Sequence, residues 1–211
     1  MILQQFVSGP RRGGDGRDEG GGHGPTDTPP DASTLGVKIL LASLTMLFGA
    51  TMIAYLVVRL QNRDADWTGY RQPGLGLGLI GSTVVLVALS VVLHGAIGAA
   101  RRGLLATIFP RLIGAFVLAL TFLGNQIHNW FGLARARGAA QPGIAELLFW
   151  ILTVTHALHV VGGLPPLIVT MTKSARGRYS ATNWRGLWNC ALYWHFLDAV
   201  WIVIAIVLWI G

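Results

Sequence analysis

Apolar residues run along this chain in five long blocks, approximately Leu35–Val58, Leu75–Ala100, Phe109–Leu133, Ile144–Thr172 and Leu187–Ile210. Each is long enough to cross a bilayer core, which takes about twenty apolar residues as a helix. The connections between blocks are short, so consecutive helices are expected to be antiparallel neighbours in one bundle. The pattern predicts an all-α membrane protein: five transmembrane helices over residues 35–211, with almost no chain left for a soluble domain.

Composition agrees with that pattern. The chain is 53% hydrophobic and 12% charged, the balance of an integral membrane protein. Its net charge of +7 raises nucleic acid as a partner, but the placement of the charges excludes it. The basic residues gather at helix ends: eleven fall on the side of the N-terminus, loop 101–111 and loop 173–186, and five on the other, Arg59, Arg63, Arg71, Arg135 and Arg137. The positive-inside rule then places the N-terminus in the cytoplasm and the C-terminus outside. Residues 8–32 are rich in Gly, Pro, Asp and Arg and cannot bury enough apolar surface to fold alone. Residues 1–34 therefore read as a disordered cytoplasmic tail, or as a segment that orders on a partner. The tail lacks the basic-then-apolar order of a signal peptide. With Cys190 the only cysteine, disulfides within the chain and Cys-rich metal sites are excluded.

Two helices carry packing signals. Gly74 and Gly78 form a GxxxG pair and Gly95 and Ala99 repeat the small-residue spacing. Such pairs let backbones approach closely, within the bundle or, alternatively, across a homodimer. Pro165 and Pro166 fall inside the fourth block, where a missing donor predicts a kink that splays part of the bundle and opens a groove to lipid.

The fifth block contains Tyr193-Trp194-His195-Phe196-Leu197-Asp198-Ala199-Val200-Trp201. An ionisable residue at that depth is costly and by default marks a functional or assembly site. Asp198 lies roughly 16 Å into the helix at about 1.5 Å per residue, and His195 shares its face. Few other protonatable residues step across the bilayer, so a fixed Asp–His or Asp–Trp hydrogen bond is expected rather than a proton relay. Asp198→Asn is then expected to be tolerated better than Asp198→Leu.

Histidines His94, His128, His156, His159 and His195 lie within or beside the spans, and histidine is a common haem ligand. Only His94 and His195 fall at compatible depths, roughly 9 and 12 Å from the cytoplasmic ends. A b-type cytochrome anchor stays open on that pair, as does a small transporter built on a helix broken at Pro165-Pro166.

Taken together, several stretches carry a family resemblance. Ala191 to Trp201 closely resembles the terminal-helix signature of subunit III of haem-copper terminal oxidases. Thr155-His156-Ala-Leu-His159-Val160-Val-Gly162-Gly163 is similar to that family's fourth-span motif. Met46 to Arg59 looks like its first-span ending, and His94 falls where the family often has a histidine. The resemblance covers roughly residues 35–211, in the layout of the shorter bacterial members. It implies a non-catalytic subunit of a cytochrome c oxidase in a bacterial inner membrane, without haem or copper of its own. It further implies packing against the haem- and copper-bearing catalytic subunit I, with subunit II nearby, and phospholipid held in a cleft. By this analogy His195, Asp198, Trp194, Trp201, His156, His159 and His94 brace the helices around that cleft. Arg59 then reaches a lipid phosphate or an interfacial carboxylate.

The departures matter as well. Family members commonly carry intramembrane glutamates where this chain has Leu44, Asn129 and Trp188. Proton handling that needs those carboxylates is therefore not implied here. A divergent relative, of the subunit III-like kind found beside nitric oxide reductases, is the alternative; assembly and lipid roles depend on shape and survive the loss.

Overall fold

The structure is a computed structural model that describes residues 32–64, 73–139, 141–180 and 183–210. Among them five long helices form: α1 (Ala32–Gln61), α2 (Pro73–Arg101), α3 (Ile108–Arg137), α4 (Ile144–Ala175) and α5 (Arg185–Ile210). All five are long and apolar enough to cross a membrane. Each expected block lies inside its helix, and the helices run on at one or both ends. Hydropathy marks only the apolar middle, whereas polar residues continue the helix toward the interface. Thus Ser33 and Thr34, assigned to the tail by hydropathy, are helical, and the Thr34 hydroxyl lies 3.3 Å from Asn189 of α5. Residues 1–31, the body of the expected tail, lie outside the described residues.

Helices α2, α3, α4 and α5 each pack on the next, and α5 closes back on α2, making a four-helix ring. Helix α1 lies against α5 and α4 outside the ring. Its far side bears exposed Ile39, Met46, Ile53 and Leu60. The turns after α2 and α4 share one device. Gly103 and Gly177 take φ of +73° and +64°, open to glycine without steric penalty. Leu104 and Arg178 then donate back to the carbonyls of Ala99 and Lys173. This is the Schellman closure, which satisfies carbonyls at a helix end and stops the helix within one turn.

At Pro165 and Pro166, where a kink is expected, α4 is not interrupted. Helix α4 continues through both prolines, which lie on its exposed face. Gly163 and Leu167, one turn apart on the opposite face, stay buried against the bundle. A proline on the outer face loses a donor without removing an inward packing group, so the core seam is kept. The broken helix that a transporter reading needs is absent from α4.

Glycine spacing acts within the chain. A Cβ on Gly78 would overlap the side-chain amide of Asn129 on α3, so this position serves the α2–α3 contact. Here lies a buried polar cluster that sequence reasoning passed over. Asn125 donates to Gly78 O at 2.8 Å and to Ser82 Oγ at 2.6 Å, and Gln126 donates to Ser82 Oγ at 2.8 Å. Asn129 lies beside this amide cluster, against Gly78. At the far end of the same helix pair of turns, Arg137 of α3 clips Glu146 of α4 at 2.8 Å, with Trp150 Nε1 at 3.3 Å from the same oxygen.

Candidate functional site

Inward positions of α5 recur at Ala191, Trp194, Leu197–Asp198, Trp201 and Ile204, all buried. Three- and four-residue steps put these on one helix face. The signature of α5 is therefore a packing face, and the geometry shows what each member touches.

Trp201 sits at the centre. Its ring centroid lies 5.0 Å from Phe122 of α3 and 5.0 Å from His156 of α4. Its indole Nε1 donates to Thr83 of α2 at 3.2 Å. His156 also meets Phe122 at 5.6 Å and Phe48 of α1 at 6.2 Å. One residue from each of the five helices thus joins a single aromatic knot. His156 is fully buried, and its Nε2 is 3.1 Å from Leu197 O. A carbonyl only accepts, so Nε2 carries the proton and donates. His156 Nδ1 has no hydrogen-bond partner among the described residues.

His159 stands one turn along α4. Its Nδ1 donates to Thr155 O at 2.7 Å, and its ring meets Phe48 at 5.1 Å in an edge contact. Tyr193 of α5 donates its hydroxyl to His159 O at 2.8 Å. Beside it, Trp194 is fully buried and closes on Gly163: a Cβ there would stand 3.0 Å from Trp194 Cζ2 and 2.9 Å from Tyr193 Cε1. Glycine is required because a methyl group would drive into two rigid aromatic rings.

On the other side of α5, His195 turns away from the knot toward α2. Its Nδ1 meets Ser90 Oγ at 2.5 Å. The His94 and His195 rings lie 6.4 Å apart, so the expected match in depth holds. Helices α2 and α5 pack directly on one another, and Ser90 occupies one nitrogen of His195. The two rings are neighbours along a helix seam, with His94 exposed on the outer face.

The expected hydrogen bond from Asp198 to His195 or to a tryptophan is not formed. Neither carboxylate oxygen has a hydrogen-bond partner among the described residues, although the residue is 5% exposed. Trp194 Nε1 is likewise unpaired. Ser90 lies close to the carboxylate, and its hydroxyl is engaged with His195. The reason is helical: a residue three positions on shares the face, yet His195 leans outward to α2 while Asp198 stays inward. A desolvated carboxylate without a partner destabilises the fold it sits in. Asp198→Asn is expected to raise the melting temperature of the solubilised chain by several degrees, and a melting series in detergent checks it. A fall would mean that the carboxylate holds a bond in the folded protein.

Arg59 lies apart from these residues, half-buried in the last turn of α1. Sequence reasoning missed Phe48, Phe122, Thr83 and Ser90, the partners that turn separate motifs into one site. It also missed Arg101, whose guanidinium lies 4.6 Å from the Trp184 ring centroid and 6.0 Å from that of Trp188. A cation thus stands over the aromatic face of Trp184, with Trp188 beside it. Only the polar residues Ser90 and Thr83 within an apolar block offered a readable signal.

The motifs on α4 and α5 therefore close on each other in space, over the length of chain that a family comparison matches. Residues 30–211 match the family model described as cytochrome c oxidase subunit III. The chain belongs to the cytochrome c oxidase subunit III family. It is 30% identical to cytochrome c oxidase subunit 3 of Synechocystis sp. over 183 residues, 86% of this chain and 76% of that protein. It is 26% identical to cytochrome c oxidase subunit 3 of Thermostichus vulcanus, covering 86% of this chain and 88% of the relative. A probable cytochrome c oxidase subunit 3 of Mycobacterium bovis is 27% identical, with 85% and 88% covered. Subunit III proteins carry no redox cofactor, so the His94–His195 seam is read as helix packing.

Proposed function

We propose that this chain is the non-catalytic accessory subunit of a bacterial cytochrome c oxidase, taking part in aerobic electron transport by supporting its catalytic subunit. The observation that carries this reading is the family match over residues 30–211, joined to a geometry in which His156, Trp201, Phe48 and Phe122 bind helices together. These side chains meet one another and backbone, so their chemistry is that of a brace. The subunit sits in the plasma membrane with its N-terminus in the cytoplasm, as the distribution of Lys and Arg supports. Its partners are the haem- and copper-bearing subunit I and subunit II, and phospholipid fills the grooves along its outer faces. One such groove, about 370 Å³, is lined by Leu79, Ile80 and Thr83 of α2 and Ile202, Ala205, Ile206 and Trp209 of α5. Its apolar walls suit an acyl chain.

The test is capture of a tagged chain from its own membranes. A much larger subunit bearing haem is expected to come with it, and the chain alone is expected to show no Soret band. A Soret band from the isolated chain that is lost in His94→Ala or His195→Ala would overturn the reading in favour of a cytochrome anchor.

A second reading is favoured by the neutral residues at 44, 129 and 188: a subunit III-like protein of a nitric oxide reductase system. Asn129 lies beside an amide cluster and Trp188 lies near Arg101, neutral packing at positions where the resemblance implies carboxylates. Oxygen or nitric oxide consumption by the captured complex separates the two.

A further inference from the structure

We propose that Arg102 and Arg111, laid over a glycine-lined strip of α2, form a headgroup site for an anionic phospholipid of the cytoplasmic leaflet. The leaflet assignment rests on the orientation proposed above; the site itself rests on geometry.

Gly95 and Gly98 stand three residues apart near the end of α2, so they share one face. A Cβ on Gly95 would be 3.8 Å from Arg111 Nε, and one on Gly98 would be 3.6 Å from Arg102 Nη2. Both guanidinium groups therefore lie down on the same turn of backbone. Arg111 is held there: its Nη1 donates to Gly95 O at 3.0 Å and to Thr107 Oγ1 at 3.1 Å. That anchoring fixes the planar group and leaves its other N–H edge for a ligand. Arg102 is exposed beside it.

Two cations drawn onto one strip repel unless an anion lies between them. Acidic side chains among the described residues are Asp64, Glu146 and Asp198. Glu146 is paired with Arg137 at the other end of α3, Asp64 follows the far end of α1, and Asp198 lies mid-span. None of them serves this strip. Guanidinium groups bind phosphate oxygens through paired, charge-assisted bonds. The strip lies at a helix end, where headgroups sit, and exposed Leu104, Leu105 and Phe109 of the adjoining turn offer apolar contact to acyl chains. A phosphodiester with chains attached fits both features. Two cations favour a headgroup that is negative overall over a zwitterionic one.

The test uses the full purified chain equilibrated with vesicles of phosphatidylcholine containing a minor share of phosphatidylglycerol, followed by native mass spectrometry of retained lipid. Phosphatidylglycerol is expected to be retained in preference. Arg102→Gln with Arg111→Gln is expected to lower that retention about tenfold, the scale of one charge-assisted contact. Arg111→Lys keeps the charge and is expected to retain most of it, and Arg135→Gln at the opposite end to leave it unchanged. Arg102→Gln alone guards against misfolding, since its guanidinium is exposed; its melting without phosphatidylglycerol is expected to match the parent. Equal retention of the two lipids by the parent, or undiminished retention by the double variant, would overturn the site. Displacement of the lipid by millimolar inorganic phosphate would assign the strip to a soluble anion and overturn it too. If Arg102→Gln releases the haem-bearing partner and leaves lipid retention intact, the strip is a protein contact. Loss of lipid selectivity while the partner still co-purifies supports the site, and loss of the partner from the parent chain itself counts against only the functional reading.

Discussion

Trp201→Ala is expected to lower the stability of the solubilised chain by about 3–5 kcal/mol, the range for emptying a large buried aromatic site. The indole is fully buried and touches Phe122 and His156 while donating to Thr83. Removing it opens a cavity where Thr83, Phe122 and His156 bring α2, α3 and α4 onto α5. Lipid does not relieve the loss, because helix association in a membrane depends on packing rather than on exclusion of water. Trp201→Phe keeps the ring contacts and gives up one hydrogen bond, so a loss of about 1 kcal/mol is expected. Melting followed by size-exclusion chromatography in detergent distinguishes the two. If the alanine variant melts with the parent, the knot does not organise the bundle.

A comparable effect is expected at the α4–α5 seam. Gly163→Ala places a methyl group 2.9 Å from Tyr193 Cε1 and 3.0 Å from Trp194 Cζ2. Neither ring is a flexible end that swings aside: Trp194 is fully buried, and Tyr193 is tied to His159 O. Overpacking of this kind costs about 1–3 kcal/mol, and Gly163→Leu is expected to prevent a monodisperse folded protein altogether. Tyr193→Phe with Gly163→Ala frees one ring from its hydrogen bond and is expected to recover part of the loss. Yield and melting temperature of the three variants read this directly. An unchanged Gly163→Leu protein would mean that the helices are further apart than described.

The two histidines of the fourth-span motif show how far spacing reaches. His156 and His159 are one turn apart and were legible as a pair on one helix face. Their partners were not, because Phe48 and Phe122 look like ordinary apolar residues in apolar blocks. Asp198 and His195 teach the reverse. Three-residue spacing on one helix made a hydrogen bond between them a natural expectation, yet α2 offers Ser90 and draws His195 outward. A neighbouring helix competed with the intrahelical partner, and no pattern within α5 records that competition. At Pro165 and Pro166 the sequence signals a disruption, and the orientation of the proline face decides that the seam survives it.

What the sequence determined by itself is the membrane class, the five spans and the family, because hydropathy, span length and contiguous motifs are properties of neighbouring residues. What only the tertiary structure decided is which side chains meet: Phe48, Phe122, His156 and Trp201 in one knot with Thr83, Asp198 kept from His195 by Ser90, an amide cluster around Gly78, and paired arginines over Gly95 and Gly98. These depend on the rotation of each helix about its own axis. That rotation is set by packing among all five at once, and a linear pattern with apolar residues on every face leaves it undetermined.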